Sequence, residues 1–261
     1  MVQIYHPKWE MAAKSLPLIS FILIAKAIAH HYGWEFFSLN TLFAALISAN
    51  IFLIGFNLSA VLTDFKEGQK LPAKLASSIE AVADECLYVC KSKGAEEGKK
   101  GFLYCLVFTE QILEWLYRER KTKSIMEKIA GFTDIFIPLE KYSQPSSVSR
   151  LKHGQSEIRK AILRIHFIRE VRFAGSAYVA AEIISYLVIT AMIFLNVGTY
   201  WENLFFTVFV SFIMIYMMIL MRDLDDPFAY YDQKHSIEEI SLYPLHHLKN
   251  RLKESATRLV N

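Results

Sequence analysis

The chain lacks the local signatures on which most enzyme chemistries depend. There is no Walker-type glycine loop, no GxSxG, no HExxH and no paired CxxC, so phosphate cradling, serine nucleophiles and zinc peptidase chemistry have no visible carrier. An enzyme is not expected. Cysteine is scarce, at Cys86, Cys90 and Cys105 only. An odd count in a segment read as cytosolic excludes a disulfide framework. Cys86 and Cys90 have no histidine pair at zinc spacing, so they read as core packing. No metal and no cofactor are expected. No small-residue cleavage site follows the first apolar run, so no cleavable signal peptide is expected. Internal repeats and low-complexity stretches are missing too. The formal net charge is only +3. Its basic residues sit beside apolar blocks and not on one soluble face, which argues against a nucleic-acid partner.

The most informative absence is charge inside those apolar blocks. Leu39 to Leu62 contains no charged residue, long enough as a helix to cross the roughly 30 Å hydrocarbon core of a bilayer. The sequence is 53% hydrophobic and 21% charged, and its apolar blocks give four expected spans, at about 16–34, 39–62, 173–195 and 204–221. Pro17 falls in the first turn of the first block, where its missing N–H costs nothing. The connections 31–38 and 196–203 carry no lysine or arginine, whereas Lys66, Lys70 and Lys74 follow the second block and Arg222 ends the fourth. The positive-inside rule then places both termini and the long 64–172 insert in the cytosol, below the inner (plasma) membrane. Tyr5, Trp9, His30, His31, Trp34, Tyr200 and Trp201 suit the interfaces. Lys26 and Glu182 lie within spans, where an ionised group needs a partner or a watery cavity.

The cytosolic part, about 64–172 and 223–261, reads as mostly helical. A helix start is expected at Leu71-Pro72, with Leu75, Ile79, Val82 and Cys86 as its apolar stripe, and a turn over Gly94 to Gly101. A second helix carries Leu106, Ile112, Leu113, Leu116 and Tyr117 and ends at Arg118 to Lys123. Residues 142–156 read as a loop. A further helix from Glu157 to Arg172 puts Ile158, Ile162 and Ile165 on one side and Arg159, Lys160 and Arg164 on the other. His235, His246 and His247 read as surface residues of the tail. The fold class is therefore all-α, a single membrane domain over residues 1–261.

The second block is not uniformly greasy. Thr41, Ala45, Ser48, Phe52, Phe56, Ser59 and Thr63 follow at steps of three or four and share one helical face. That face is poor lipid contact and a plausible wall for a narrow, partly wet path. A rival face carries Asn50, Asn57 and Asp64 at steps of seven, and polar residues of this kind also glue membrane helices together.

Three separated stretches carry a resemblance. Phe52-Leu53-Ile54-Gly55-Phe56 resembles the phenylalanine-rich FVLGF segment of the second bestrophin helix. Gly175-Ser176-Ala177-Tyr178, with Ile183, Leu187, Val188 and Thr190, is similar to the bestrophin stretch GHLYAYDWISIPLVYT at equal spacing. Leu224-Asp225-Asp226-Pro227-Phe228-Ala229 is similar to the LINPFG motif after the last bestrophin helix. The resemblance is to a divergent, prokaryotic-type bestrophin. It implies a homopentameric, usually anion-selective channel in membrane lipid, each subunit lending its second helix to a central pore. It also implies a neck at Ser48, Phe52 and Phe56, and a cytosolic aperture at Ile158. Ser48 departs from the family's isoleucine, which makes that ring wider or wetter. Ala229-Tyr230-Tyr231-Asp232-Gln233-Lys234 offers a single carboxylate in place of the calcium-binding acidic run, so calcium gating is not expected. The aspartate of the family's YD pair is replaced by Ala181, next to Glu182.

On this reading chloride or another small anion passes a hydrophobic neck, with Thr41, Ala45, Ser59 and Thr63 lining the remaining path. Lys66, Lys70, Lys74 and Arg159 would concentrate anions in the vestibule, whereas Asp64 would favour cations. The alternatives are a cation channel of the same architecture, a non-conducting scaffold or sensor binding a partner through its cytosolic helices, and a transporter coupling Glu182 to Lys26.

Overall fold

The computed structural model describes residues 10–170, 175–225, 227, 228, 230 and 239–260, with backbone alone at 175–177 and 260. It is all-α apart from one very short strand pair. The chain divides into two compact units, residues 1–65, 172–226 and 236–238, and residues 66–171, 227–235 and 239–261.

The first unit contains α1 (Glu10–His31), the N-terminal part of α2 (Thr41–Lys93), α6 (Gly175–Ile193) and α7 (Tyr200–Leu224). Helix α1 starts before the expected span, so Pro17 lies inside it and not in its first turn. It ends at His31, where Gly33 adopts φ +68 and Trp34 N–H reaches back to the Ala29 carbonyl at 2.8 Å. Asn40 starts α2 by accepting the Phe43 N–H at 2.8 Å, the usual service of an N-cap side chain. A parallel pair, β1 (Phe37–Ser38) with β2 (Leu195–Asn196), has no counterpart in the expected elements. At the start of α7, Thr199 and Glu202 form a capping box. Among the described residues α1, α2 and α7 are long and apolar enough to cross a membrane. The apolar part of α6, Tyr178–Ile193, is shorter, and residues 173–174 of the expected third span lie outside the described residues.

The interior of this unit accounts for its intramembrane charges. Lys26 has no exposed surface. Its Nζ pairs with Glu35 Oε1 at 2.9 Å and donates to the carbonyls of Ile193, at 3.1 Å, and Leu195. Three donors thus meet three acceptors, as a buried ammonium requires. Glu35 also accepts from Asn203 Nδ2 at 2.9 Å and meets His30 Nδ1 at 3.1 Å. Glu182 pairs with Arg222 instead and accepts the Tyr186 hydroxyl at 3.0 Å. Lys26 and Glu182 therefore have different partners and form no coupled pair.

The second unit holds the rest of α2, α3 (Glu96–Leu116), α4 (Thr122–Leu139), α5 (Pro145–Glu170) and α8 (Tyr243–Val260). The expected helix start at Leu71-Pro72 is not there, because α2 passes through Pro72 without a break. Gly68, one turn before it, is small for a separate reason, since a Cβ there would stand 2.8 Å from Ile240 Cδ1. The turn expected over Gly94 to Gly101 is confined to its start. Gly94, with φ +62, closes α2, and α3 begins at Glu96. Gly98 and Gly101 are buried in α3 because α2 passes close by: a Cβ on Gly98 would stand 2.6 Å from both the Cys86 carbonyl and the Cys90 amide. The expected loop 142–156 is mostly helix, since α5 begins at Pro145, a residue suited to a first helical turn. Gly154 faces Val82, whose Cγ2 a Cβ would meet at 2.5 Å. Of the two cysteines read as core packing, Cys86 is fully buried and Cys90 is half-buried; Cys105 is fully buried as well, and all three are unbridged.

Two stretches of the tail also pack here. Phe228 is fully buried, and the Pro227 carbonyl accepts the Ile240 N–H at 3.1 Å. Tyr230 crosses Tyr117 edge to face at 5.8 Å between ring centroids, and its hydroxyl donates to the Ile240 carbonyl. Ala229, Asp232, Lys234 and His235 lie outside the described residues, as do Tyr5 and Trp9.

Candidate pore-lining face of the second helix

The face read from the sequence is the one the first unit leaves bare. Thr41, Ala45, Ser48, Phe52, Phe56, Ser59 and Thr63 are all exposed. Phe52 is 75% and Phe56 63% accessible, a large apolar exposure for aromatic side chains. Thr41, Phe52 and Thr63 are spaced by eleven residues, close to three full turns, so the stripe runs almost parallel to the helix axis. At about 1.5 Å per residue it spans about 33 Å, the thickness of a bilayer's hydrocarbon core. Ser48, Phe52 and Phe56 are about 6 Å apart along it.

The hydroxyls on this face are satisfied by their own helix. Ser48 Oγ donates to the Ala44 carbonyl and Thr63 Oγ1 to the Ser59 carbonyl, each at 2.9 Å. They present acceptor lone pairs outward without adding an unmet donor. Gly55 lies between the two phenylalanines, and a Cβ there would meet nothing within 4 Å.

The rival polar face faces inward. Asn50 and Asn57 are 2% and 1% exposed. Asn50 Nδ2 donates to Ser185 Oγ at 3.0 Å and lies 3.7 Å from Met214 Sδ, which ties α2 to α6 and α7. That is interhelical packing. Asp64, the last member of the series, is half-buried.

In the second unit Lys66 and Arg159 are exposed. Lys74 is neutralised by Glu157 at 2.8 Å, and Lys160 reaches the same carboxylate at 2.8 Å. Hydrogen bonds from Lys160 and Lys74 hold the Glu157 carboxyl down at about 2. Arg164 grips Glu67 with Nε at 2.9 Å and keeps that carboxyl below its ordinary range. Ile158, expected at an aperture, is 0% exposed. A side chain with no accessible surface lines no passage, so that assignment is corrected: Ile158 belongs to the helical core with Ile162 and Ile165. The exposed apolar residues of α5 are Leu163 and Phe167, 45% and 48% accessible. The clusters that sequence reasoning missed are Lys26–Glu35–His30 and the Arg222 partner of Glu182. The only sequence signal for the latter was the need of an intramembrane carboxylate for a partner.

No family model and no curated protein matches the chain in sequence. Solved structures do match. A crystal structure of a point variant of a bacterial bestrophin homologue from Klebsiella pneumoniae superposes with TM-score 0.78 at 15% identity, covering 94% of this chain and 99% of that one. A second variant of that homologue gives TM-score 0.78 at 14% identity, with 93% and 99% covered. A crystal structure described as a membrane protein variant gives 0.76 at 14% identity, with 93% and 98% covered. The chain has the bestrophin fold. Coverage is nearly complete on both sides, so the likeness extends over both units. With this fold and three helices able to cross a bilayer, the chain is a membrane protein. Within the bestrophin fold the FLIGF segment lies on α2, and the Pro227-Phe228 pair is anchored in the second unit by burial of Phe228.

Proposed function

We propose that this protein is an ion channel of bestrophin type, built from five copies of the chain and passing chloride or similar small anions down their gradient. Both units belong to one channel subunit, set in the cell's inner (plasma) membrane with both termini in the cytosol. Ser48, Phe52 and Phe56 form the neck, and Thr41, Ala45, Ser59 and Thr63 line the path on either side.

The observation that carries this reading is the bare face of α2. Lipid alone does not account for it. The exposed large apolar residues of α1 are Leu16, Leu18, Leu23, Ile24 and Ile28 with a single ring, Phe21, and those of α6 include Ile183 and Leu187 beside Tyr186. These are mainly aliphatic surfaces, suited to acyl chains, with one isolated ring on each helix. The α2 face instead sets two consecutive aromatic rings between hydroxyl-bearing turns, and Asn50 on the helix's buried side is already used for packing. A single chain encloses no path along such a face, so conduction needs closed cyclic assembly. Rings of Phe52 and Phe56 would gate by dewetting, and their edges, which carry partial positive charge, favour anions without a fixed charge. Lys66 and Arg159 would raise the local anion concentration.

Imaging of purified particles tests the assembly. Five-fold rings with an axial hole are expected; a monomer in mild detergent and in lipid would overturn the proposal.

A further inference from the structure

The first unit holds a second feature that the proposed conduction path does not use. A cavity of about 240 Å³ opens between α1, α6 and α7. Its walls come from Leu18 and Phe21, Ile189 and Ile193, and Ile215 and Ile219, and it also meets Glu182, Tyr186 and Arg222. Glu182 lies in the second turn of α6 and Arg222 in the last turn of α7. The short 194–199 connection joins these two helices, so the charged pair sits at the end away from it and Ile193 sits beside it. The α6 lining from Glu182 to Ile193 extends about 16 Å along the helix. The result is a slot, apolar along its length and ionic at one mouth.

Water is a poor occupant, because it needs two to four polar partners. Along the walls Thr190 offers a hydroxyl, and it already donates to the Tyr186 carbonyl at 2.8 Å. The slot opens beside Leu18 and Phe21, which are 51% and 68% exposed on a helix able to cross a membrane. Its natural occupant is therefore a chain from the surrounding bilayer. The mouth selects the class of that molecule. Glu182 accepts from Arg222 and from Tyr186, which fixes the guanidinium beside the opening. A guanidinium carries five donors in a planar fork, and the Arg222 side chain remains 58% exposed. Its outer edge has the geometry that takes two phosphate oxygens at once. Basic groups between membrane helices hold lipid headgroups in this way.

We propose that this slot binds one acyl chain of a bilayer phospholipid, with the lipid phosphate on Arg222. The proposal rests on membrane embedding and not on conduction, so it stands or falls apart from the channel reading. The test is native mass spectrometry of the purified full-length protein after detergent exchange, with phosphatidylglycerol or a fatty acid of equal chain length added back. The wild type should retain about one phosphatidylglycerol per chain and prefer it to the fatty acid by about tenfold or more. Thr190→Trp, which fills the slot from an exposed position, should lower retention by about tenfold. The double variant Glu182→Gln/Arg222→Gln, which keeps neutral hydrogen bonding at the mouth, should abolish the preference for phosphate. If Thr190→Trp fails to fold by circular dichroism and elution volume, Ile219→Phe fills the same slot from α7. Unchanged retention in the slot-filled variant would overturn the proposal. Equal retention of fatty acid and phospholipid by the wild type would overturn it as well.

Discussion

Lys26 shows how a costly residue is kept in an apolar helix. Its ammonium has no exposed surface, and all three donors are used, on Glu35 and on the carbonyls of Ile193 and Leu195. One side chain therefore joins α1 to the connection before α2 and to the β2 backbone. Removing one partner of such a buried pair leaves the other uncompensated. Lys26→Ala is expected to cost about 3 kcal/mol of stability, read from chemical unfolding of the protein in detergent. A loss below about 1 kcal/mol would mean that the pair is worth no more than a surface bridge. Partnering of Lys26 was legible in the sequence as a need, because an isolated intramembrane lysine is expensive. The identity of the partner was not, since Glu35 is nine residues away across a turn and the two carbonyls come from residues 193 and 195. Asn50 and Asn57 show the same limit. Their spacing named a polar face, but only the packed position of Ser185 and Met214 shows that this face looks inward.

At the scale of elements, the helical stripes were legible and the breaks were not. Leu75, Ile79, Val82 and Cys86 all fall in the core, as their spacing implies. Pro72, the glycines from Gly94 to Gly101 and the polar run 142–156 have the local chemistry of boundaries. In the fold most of them serve contacts between distant elements. Pro72 lies within α2 without ending it. Gly98, Gly101 and Gly154 are small because another helix passes against them. Local propensity cannot register a neighbour that only the tertiary structure brings close. Gly98→Ala separates the two roles. If Gly98 were a turn residue or an idle helix position, alanine would stabilise the helix by up to about 1 kcal/mol. Because its Cβ would press on backbone atoms of α2 that cannot rotate away, a destabilisation of about 2–3 kcal/mol is expected. The change in thermal midpoint of the protein gives the sign.

For the whole molecule, the all-α fold class was readable. Among the described residues three of the four expected spans fall on helices long and apolar enough to cross a bilayer, because a long apolar block with basic flanks has few stable places except across a membrane. The aperture at Ile158 rested on the resemblance alone, whereas the apolar stripe of Ile158, Ile162 and Ile165 already put that residue on the core side of its helix, where it lies fully buried. The neck differs in kind. A face with Phe52 and Phe56 bare in one chain, and with hydroxyls between apolar groups, makes physical sense through what several copies enclose. In the proposed channel the ring would be the functional object, and its narrowest part would be built from side chains that a single chain leaves in the open. Conductance of the purified protein in a planar bilayer, wild type against Phe52→Ala, tests this most directly. The wild type should pass an ohmic current whose reversal potential follows a chloride gradient, and Phe52→Ala should carry a larger current or stay open for longer. A silent wild type, or a variant with unchanged current, would contradict a neck at Phe52.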